Sequence, residues 1–361
     1  MRYLTPGPTQ TAACVEDAIK RAVSDGICSI SHRSKRYEEI HSGTVNGIRE
    51  LLSIPNTHHI FFLGSATEAW ERIIQNCSFS RTHHFVNGSF SERFYAISRE
   101  LGRNASQTKV ELGEGFDLCS VTVPTDIELL CVTQNETSTG VYLSSSDISA
   151  LAQRFPSALV AVDIVSCAPI NDLNWSDIDC GFFSVQKCFG LPAGLGVLIV
   201  SERAVGQAEE VRSKGLSIGS YHSIPTLLAA AKKNQTPETP NVLGIFLLGE
   251  VIKGMLEIGV QKLRSSVINR AQQAYARLDK LRFYKPFVSK APFRSPTVLP
   301  VITPFGSQIL TKGLLAEGYE LGAGYATLKD KQVRIANFPM HTDSEIDLVI
   351  SRIEELDNKG G

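Results

Sequence analysis

Lys187 closes an apolar, strand-like run, Gly181-Phe182-Phe183-Ser184-Val185-Gln186. Cys188-Phe189-Gly190-Leu191-Pro192-Ala193-Gly194-Leu195-Gly196 follows it, and then a second apolar run, Val197-Leu198-Ile199-Val200. A lysine thus lies on a tight turn between two strands with the composition of a sheet interior. Lysine is seldom buried without a partner, and burial lowers its pKa because a low-dielectric surrounding disfavours the ammonium form. The neutral amine is the form that attacks a carbonyl carbon, so this placement suits Schiff-base chemistry. A solvated loop lysine is the alternative that the stretch alone leaves open.

A lysine that condenses with an aldehyde cofactor such as pyridoxal 5′-phosphate needs three companions. A carboxylate must keep the pyridine nitrogen protonated so that the ring withdraws electrons, helix-start amides must hold the phosphate, and a flat side chain should cover the ring. Asp163 ends the apolar run Ala158-Leu159-Val160-Ala161-Val162, which reads as a buried parallel strand. Such strand ends face the crevice where open α/β sheets bind ligands. The interval from Asp163 to Lys187 fits one connection and one further strand, which brings both groups to one sheet edge. Gly64-Ser65-Ala66-Thr67-Glu68 follows the apolar Ile60-Phe61-Phe62-Leu63 and precedes a helical pattern. Its small residues let backbone N–H groups approach an anion. It is neither a dinucleotide G-x-G-x-x-G nor a Walker loop, and taken alone it also reads as an ordinary N-cap. Phe90 stands at the next strand-to-helix junction, where a core aromatic is the alternative.

Together these pieces resemble the class-V aminotransferases of fold type I, from Thr5-Pro6-Gly7-Pro8 to Arg334-Ile335-Ala336-Asn337. The resemblance implies that Lys187 anchors pyridoxal 5′-phosphate and shuttles a proton, that Asp163 pairs with the pyridinium nitrogen, and that Gln186 lies beside them. It implies phosphate contacts from Ala66 and Thr67, ring stacking by Phe90, and a cofactor contact from Thr137 of Asn135-Glu136-Thr137. Gln235-Thr236-Pro237-Glu238-Thr239 is similar to a segment that crosses a homodimer interface to the neighbouring cofactor phosphate, which gives Thr236. Arg334 resembles the arginine that forks the substrate α-carboxylate. Ile30-Ser31-His32-Arg33-Ser34-Lys35 is similar to a segment of the phosphoserine-transaminating branch, in which His and Arg bind the substrate side-chain anion; this gives His32 and Arg33. The implied reaction is transamination of O-phosphoserine with 2-oxoglutarate, in two half-reactions through Lys187.

One departure bears on the substrate. Bacterial members of that branch carry a second His-Arg pair shortly before the carboxylate arginine, whereas Gly322-Ala323-Gly324-Tyr325-Ala326-Thr327-Leu328-Lys329-Asp330-Lys331-Gln332-Val333 has none. Lys329 or Lys331 would supply a point charge rather than a fork. Leu4-Thr5-Pro6-Gly7-Pro8 leans toward the branch that uses serine or alanine with pyruvate or glyoxylate. A desulfurase would want a reactive cysteine on a Ser/Gly-rich loop, and a catalytically silent binding protein on this fold need not keep both Lys187 and Asp163.

The elements that position these residues alternate between short apolar runs and amphipathic stretches. Strands are expected at 60–63, 84–86, 109–112, 127–132, up to Asp163, up to Ser184 and after Gly196, with helices at 15–23, 37–52, 68–77, 91–101 and 147–155. This is an α/β pattern: a mostly parallel sheet of about seven strands between helices, its carboxyl ends on one edge. A helical tract over 242–281 leads to a smaller C-terminal α/β domain with strands at 295–302 and 332–337 and a final helix at 344–356. The expected division is 11–245 for the cofactor domain and 246–361 for the small one, with 1–10 packing near the site. At 361 residues, 43% hydrophobic and 20% charged, the chain can bury a large core; its net charge of −1 gives no argument for nucleic acid or an anionic membrane. No apolar run spans a bilayer and no signal-peptide pattern is present. Eight scattered cysteines without C-x-x-C suit reduced thiols in a cytoplasm. His58-His59 and His83-His84 stand just before expected strands and read as loop residues; adjacent histidines on a strand point opposite ways, so they make poor metal pairs, and no metal is expected.

Overall fold

The computed structural model describes residues 1–360. The chain runs β1 (Arg2–Leu4), α1 (Val15–Ser24), α2 (Lys35–Leu51), β2 (His58–Leu63), α3 (Ala66–Cys77), β3 (Arg81–Val86), α4 (Ser89–Glu100), β4 (Asn104–Lys109), β5 (Leu129–Thr133), β6 (Asn135–Glu136), β7 (Val141–Tyr142) and α5 (Ser145–Arg154). It continues through β8 (Leu159–Asp163), β9 (Cys180–Ser184), β10 (Gly196–Ser201), α6 (Glu202–Ser213), α7 (Ile224–Ala231), α8 (Val242–Ile258), α9 (Val260–Leu278), β11 (Val298–Ile302), α10 (Ser307–Ala316), β12 (Tyr319–Ala323), β13 (Gln332–Ala336) and α11 (Asp343–Asn358).

A seven-stranded sheet in the order β2-β10-β9-β8-β5-β3-β4 forms the larger layer. Only β10 runs antiparallel to its neighbours. The central strands are buried on both faces, and their side chains divide between two cores with the strand period of two. Ile60, Phe62, Val160, Val162, Phe183, Val197 and Ile199 face one core. Phe61, Leu63, Leu159, Ala161, Phe182, Leu198 and Val200 face the other, where Trp70 and Ile73 of α3 and Phe94 of α4 pack. By the same alternation Asp163 falls on the α3 face.

The smaller sheet has the order β1-β12-β13-β11. Its core joins Leu4, Leu299, Ile335 and Tyr275 to Ile346, Val349 and Ile353 of α11. Because β1 pairs with β12, the chain leaves the small sheet after Leu4 and crosses to the large one.

Several expected boundaries shift. The helical tract over 242–281 is two helices broken at Gly259, whose φ of +92° only glycine adopts without strain. A division at 245/246 falls inside α8, and the apolar residues of that helix, Ile245 to Met255, belong to the core of the large sheet. The small-sheet core instead begins with Ala271 of α9.

Candidate functional site

β2, β8 and β9 end at one edge of the large sheet. Register pairs Gly196 with both Leu63 and Ser184, and Asp163 with Phe182. The three expected anchors therefore converge: the start of α3, Asp163 and Lys187. A Cβ on Gly196 would lie 2.5 Å from the Ser65 carbonyl carbon, so the glycine is what lets the α3 start sit against this edge. There Ser65 Oγ caps the Glu68 N–H at 3.1 Å, and the Ala66 N–H donates to Ser184 Oγ at 3.0 Å. Thr67 is exposed beside them.

Asp163 is buried. Its Oδ2 accepts the Trp70 indole N–H at 3.2 Å and its Oδ1 accepts the Val165 N–H at 2.9 Å. Burial, outweighing these hydrogen bonds, lifts its pKa to about 7. Lys187, 8% exposed, donates from Nζ to the Pro6 carbonyl at 2.5 Å. Burial, reinforced by nearby Arg334, lowers its pKa to about 8. No ion pair joins Lys187 to Asp163 among the described residues. A buried amine and a buried carboxyl thus share a site without satisfying each other, and Gln186 Oε1 beside them is buried without a partner.

Phe90 enters from the first turn of α4. Its ring centroid is 5.9 Å from Lys187 Nζ and 5.3 Å from the Tyr325 ring. Arg334 on β13 donates to the carbonyls of Ala323 (2.9 Å) and Thr137 (3.1 Å) and lies 5.6 Å over Tyr325. Burial lowers its pKa to about 10, yet it has no carboxylate partner among the described residues. Thr137 is buried, with its hydroxyl on Ser166 Oγ at 2.9 Å.

This arrangement fits pyridoxal 5′-phosphate. The orphaned Gln186 oxygen, the unpaired Asp163 and Lys187, and the glycine-dependent α3 start are what a protonated ring nitrogen, an aldehyde and a phosphate would satisfy.

His32, Arg33 and Thr236 form a second group. Arg33 donates to Gln235 Oε1 (2.7 Å) and to the carbonyls of Thr236 (3.0 Å) and Pro237 (3.2 Å). His32 lies edge-on to Tyr37. Within one chain none of the three contacts Lys187, Asp163 or Arg334. Lys329 and Lys331 are exposed.

The sequence reading missed Trp70, Glu136, Tyr325 and the Pro6–Gly7 contact. Glu136 lay inside a quoted motif. Its buried carboxylate accepts the Phe90 and Ser91 N–H groups at 3.3 and 2.9 Å and so fixes the start of α4. Trp70 and Tyr325 had no local signal, since each reaches its partner only through the folded chain.

The profile of the aminotransferase class-V family matches residues 3–347. Among solved structures, a phosphoserine aminotransferase from Cytophaga hutchinsonii superposes with a TM-score of 0.96 at 41% identity, covering 98% of each chain. An aspartate aminotransferase from Thermus thermophilus shares the fold at 23% identity and a TM-score of 0.84, covering 99% of each chain. Among characterised sequences, the phosphoserine aminotransferase of Rhodococcus opacus is 25% identical over 353 residues, 96% of this chain and 91% of the relative.

Proposed function

The chain belongs to the class-V aminotransferases, and within that family we propose that it moves the amino group of O-phosphoserine to 2-oxoglutarate. It is a pyridoxal-phosphate-dependent enzyme. When bound, the cofactor supplies an electron sink for the charge left at the substrate Cα. The chain's own residues do the rest. Lys187, with its pKa brought down to about 8, loses its proton far more readily than a solvated lysine and takes up the Cα proton at Nζ. Asp163, fixed by Trp70 and Val165, would hold the ring nitrogen in its protonated form. Phe90, with Tyr325 packed on it, flanks Nζ on one side, and the Pro6–Gly7 segment covers it.

The observation that carries the reading is Arg334. A largely buried guanidinium without a carboxylate partner, beside a buried amine, is suited to receive the α-carboxylate of an amino acid as a fork. For the side-chain anion we assign His32 and Arg33. Arg33 is pinned to the segment holding Thr236, so if Thr236 reaches a neighbouring site in a homodimer, Arg33 is carried there too. The similarity to the Cytophaga hutchinsonii enzyme supports this choice. Eight free cysteines, five of them buried, support a reducing, cytoplasmic setting; no helix among the described residues is long and apolar enough to cross a membrane.

A second reading keeps the chemistry and changes the donor to serine or alanine, with pyruvate or glyoxylate as acceptor. Tyr325 favours it, since an aromatic ring stands in the stretch where a second His-Arg pair was expected. The test mixes cofactor-loaded protein separately with O-phosphoserine, glutamate, serine and alanine, without a keto acid, and follows the absorbance of the Lys187–cofactor linkage. Rapid loss with O-phosphoserine and glutamate alone supports the first reading; loss with serine or alanine alone supports the second. Absence of that band, or normal turnover by Lys187→Ala, would remove the central lysine from the mechanism.

A further inference from the structure

One buried cluster of titratable groups lies outside the Lys187 pocket and is not used by the proton transfer. His222 is 3% exposed, and each of its ring nitrogens meets a carboxylate. Nδ1 makes a short contact with Glu68, and Nε2 lies 2.8 Å from Glu238 Oε2. Glu68 is in the first turn of α3, and its other oxygen accepts the Gly64 N–H at 2.9 Å. Glu238 belongs to the segment carrying Thr236, whose hydroxyl donates to the Glu238 carbonyl at 2.8 Å. A single imidazole therefore ties the start of α3 to the 235–240 segment.

Carboxylates are unwelcome at an anion site. Like charges repel strongly where the dielectric is low, and a freely turning Glu68 would compete for the first-turn N–H groups that a phosphate needs. A ring that hydrogen-bonds a carboxylate at both nitrogens carries both protons. The groups facing it are Glu68, with Arg72 behind it on α3, and Glu238, with Tyr221 stacked on the ring at 4.0 Å. His32 and Tyr37 lie beyond Glu238, and Arg33 beside them. Burial alone would lower the His222 pKa, but the hydrogen bonds to Glu238 and Glu68 overcome it and raise it to about 9.

We propose that His222 is a positioning residue for the cofactor phosphate: as an imidazolium it neutralises Glu68 and Glu238 and holds the Glu68 carboxylate at the Gly64 N–H, away from the first-turn N–H groups of α3 that the phosphate needs. The proposal rests on reading Gly64-Ser65-Ala66-Thr67 as the phosphate cradle.

The apoprotein is titrated with pyridoxal 5′-phosphate and, separately, with pyridoxal, which keeps the ring and aldehyde but lacks the phosphate. Protein fluorescence reports both affinities, and their ratio isolates the phosphate contribution. Equal affinities in the parent protein would overturn the cradle reading and the proposal with it. With the cradle intact, His222→Gln lowers the ratio at least tenfold and leaves pyridoxal binding unchanged. The triple variant Glu68→Gln/His222→Gln/Glu238→Gln recovers most of the loss, a rescue that a merely structural role would not produce. An unchanged ratio in H222Q, an equal loss of both affinities, or no recovery in the triple variant overturns the proposal and leaves the cradle standing. Should H222Q not fold, the parent ratio is followed from about pH 7 to 10. The phosphate is already fully ionised there, and Lys187 affects both ligands alike. The ratio falls as the pH passes about 9 if His222 acts as proposed, and stays level if it does not.

Discussion

Trp70 donates its indole N–H to Asp163 Oδ2 across 3.2 Å, although 93 residues separate them in sequence. Trp70 belongs to α3, the helix whose first turn is proposed to hold the phosphate, so one rigid element would fix both the phosphate end and the ring-nitrogen end of the cofactor site. Trp70→Phe would keep the stacking on Phe94, whose ring lies 5.7 Å away, and remove only the donor. A hydrogen bond to a charged group contributes about 1.5–3 kcal/mol, so kcat/KM should fall by roughly ten- to a hundredfold. Steady-state kinetics with saturating cofactor would check this; an unaltered kcat/KM would mean that the Val165 N–H alone holds the carboxylate.

The two buried ionisable groups make opposite contributions to the pH dependence of the apoprotein. Asp163 is raised from 3.8 to about 7, so between those values the folded state holds a proton that the unfolded chain has lost. Its contribution to stability is fully present below 3.8 and is lost as the pH rises through about 7. Lys187 is lowered from 10.5 to about 8, so between those values the unfolded chain holds the extra proton and stability rises with pH. Urea unfolding of the apoprotein should show both slopes. Asp163→Asn should remove the decline on the acid side, leaving an apoprotein more stable than the parent at pH near 8 yet at least a hundredfold slower in turnover, on the order of a lost acid–base partner. A decline that persists in Asp163→Asn would assign it to another group.

Lys187 and Asp163 were legible in the sequence because Asp163 ends an apolar strand and Lys187 lies in the turn just after another, and strand ends at one edge of a parallel sheet are where such folds place chemistry. The start of α3 was legible for the same reason. The rest depended on contacts no local pattern encodes. β4 carries the polar run Asn104-Ala105-Ser106-Gln107-Thr108-Lys109 and is an edge strand, which needs no apolar face, so the apolar signal pointed several residues too late. β1 and β12 are short and carry little apolar pattern of their own; β1 becomes a strand by pairing with β12, which also pairs with β13. Arg33 and Thr236 were read as site residues separately; that the guanidinium of one grips the carbonyl of the other emerged only from the fold. Glu136 was passed over in favour of Thr137 because the motif does not show that a buried carboxylate is capping α4.

Arg334 has its Nε and Nη1 engaged by the Ala323 and Thr137 carbonyls, leaving its remaining N–H groups for a ligand. Arg334→Lys keeps a charge but loses the planar fork, and Arg334→Gln loses both. For Arg334→Gln, kcat/KM toward every amino donor should fall by roughly a hundredfold, the cost of leaving a buried carboxylate without its charged partner. The deficit should appear mainly in KM, and α-carboxylate-free amines should react as slowly with the variant as with the parent. Arg334→Lys should fall between the two. Equal effects on amines with and without the carboxylate would show that Arg334 serves the fold instead.

Gly7 is the tightest constraint around the lysine. Its φ is +122°, and a Cβ built there would lie 2.2 Å from Lys187 Nζ, within the space the amine occupies. Pro6, one residue earlier, is the carbonyl that Nζ donates to, so the segment both holds the amine and is shaped around it. Gly7→Ala forces one of two outcomes. Either the N-terminal segment lifts, which breaks the Nζ–Pro6 contact and admits water, or the lysine is pushed away from its reactive position. Backbone strain and overpacking together should cost about 1–3 kcal/mol of stability, read as a lower urea midpoint. Because Gly7 lies against the amine, kcat should fall by at least about tenfold while KM changes little, the reverse of the Arg334 pattern. A Gly7→Ala enzyme with parental kcat would show that the segment does not bear on Lys187 during turnover.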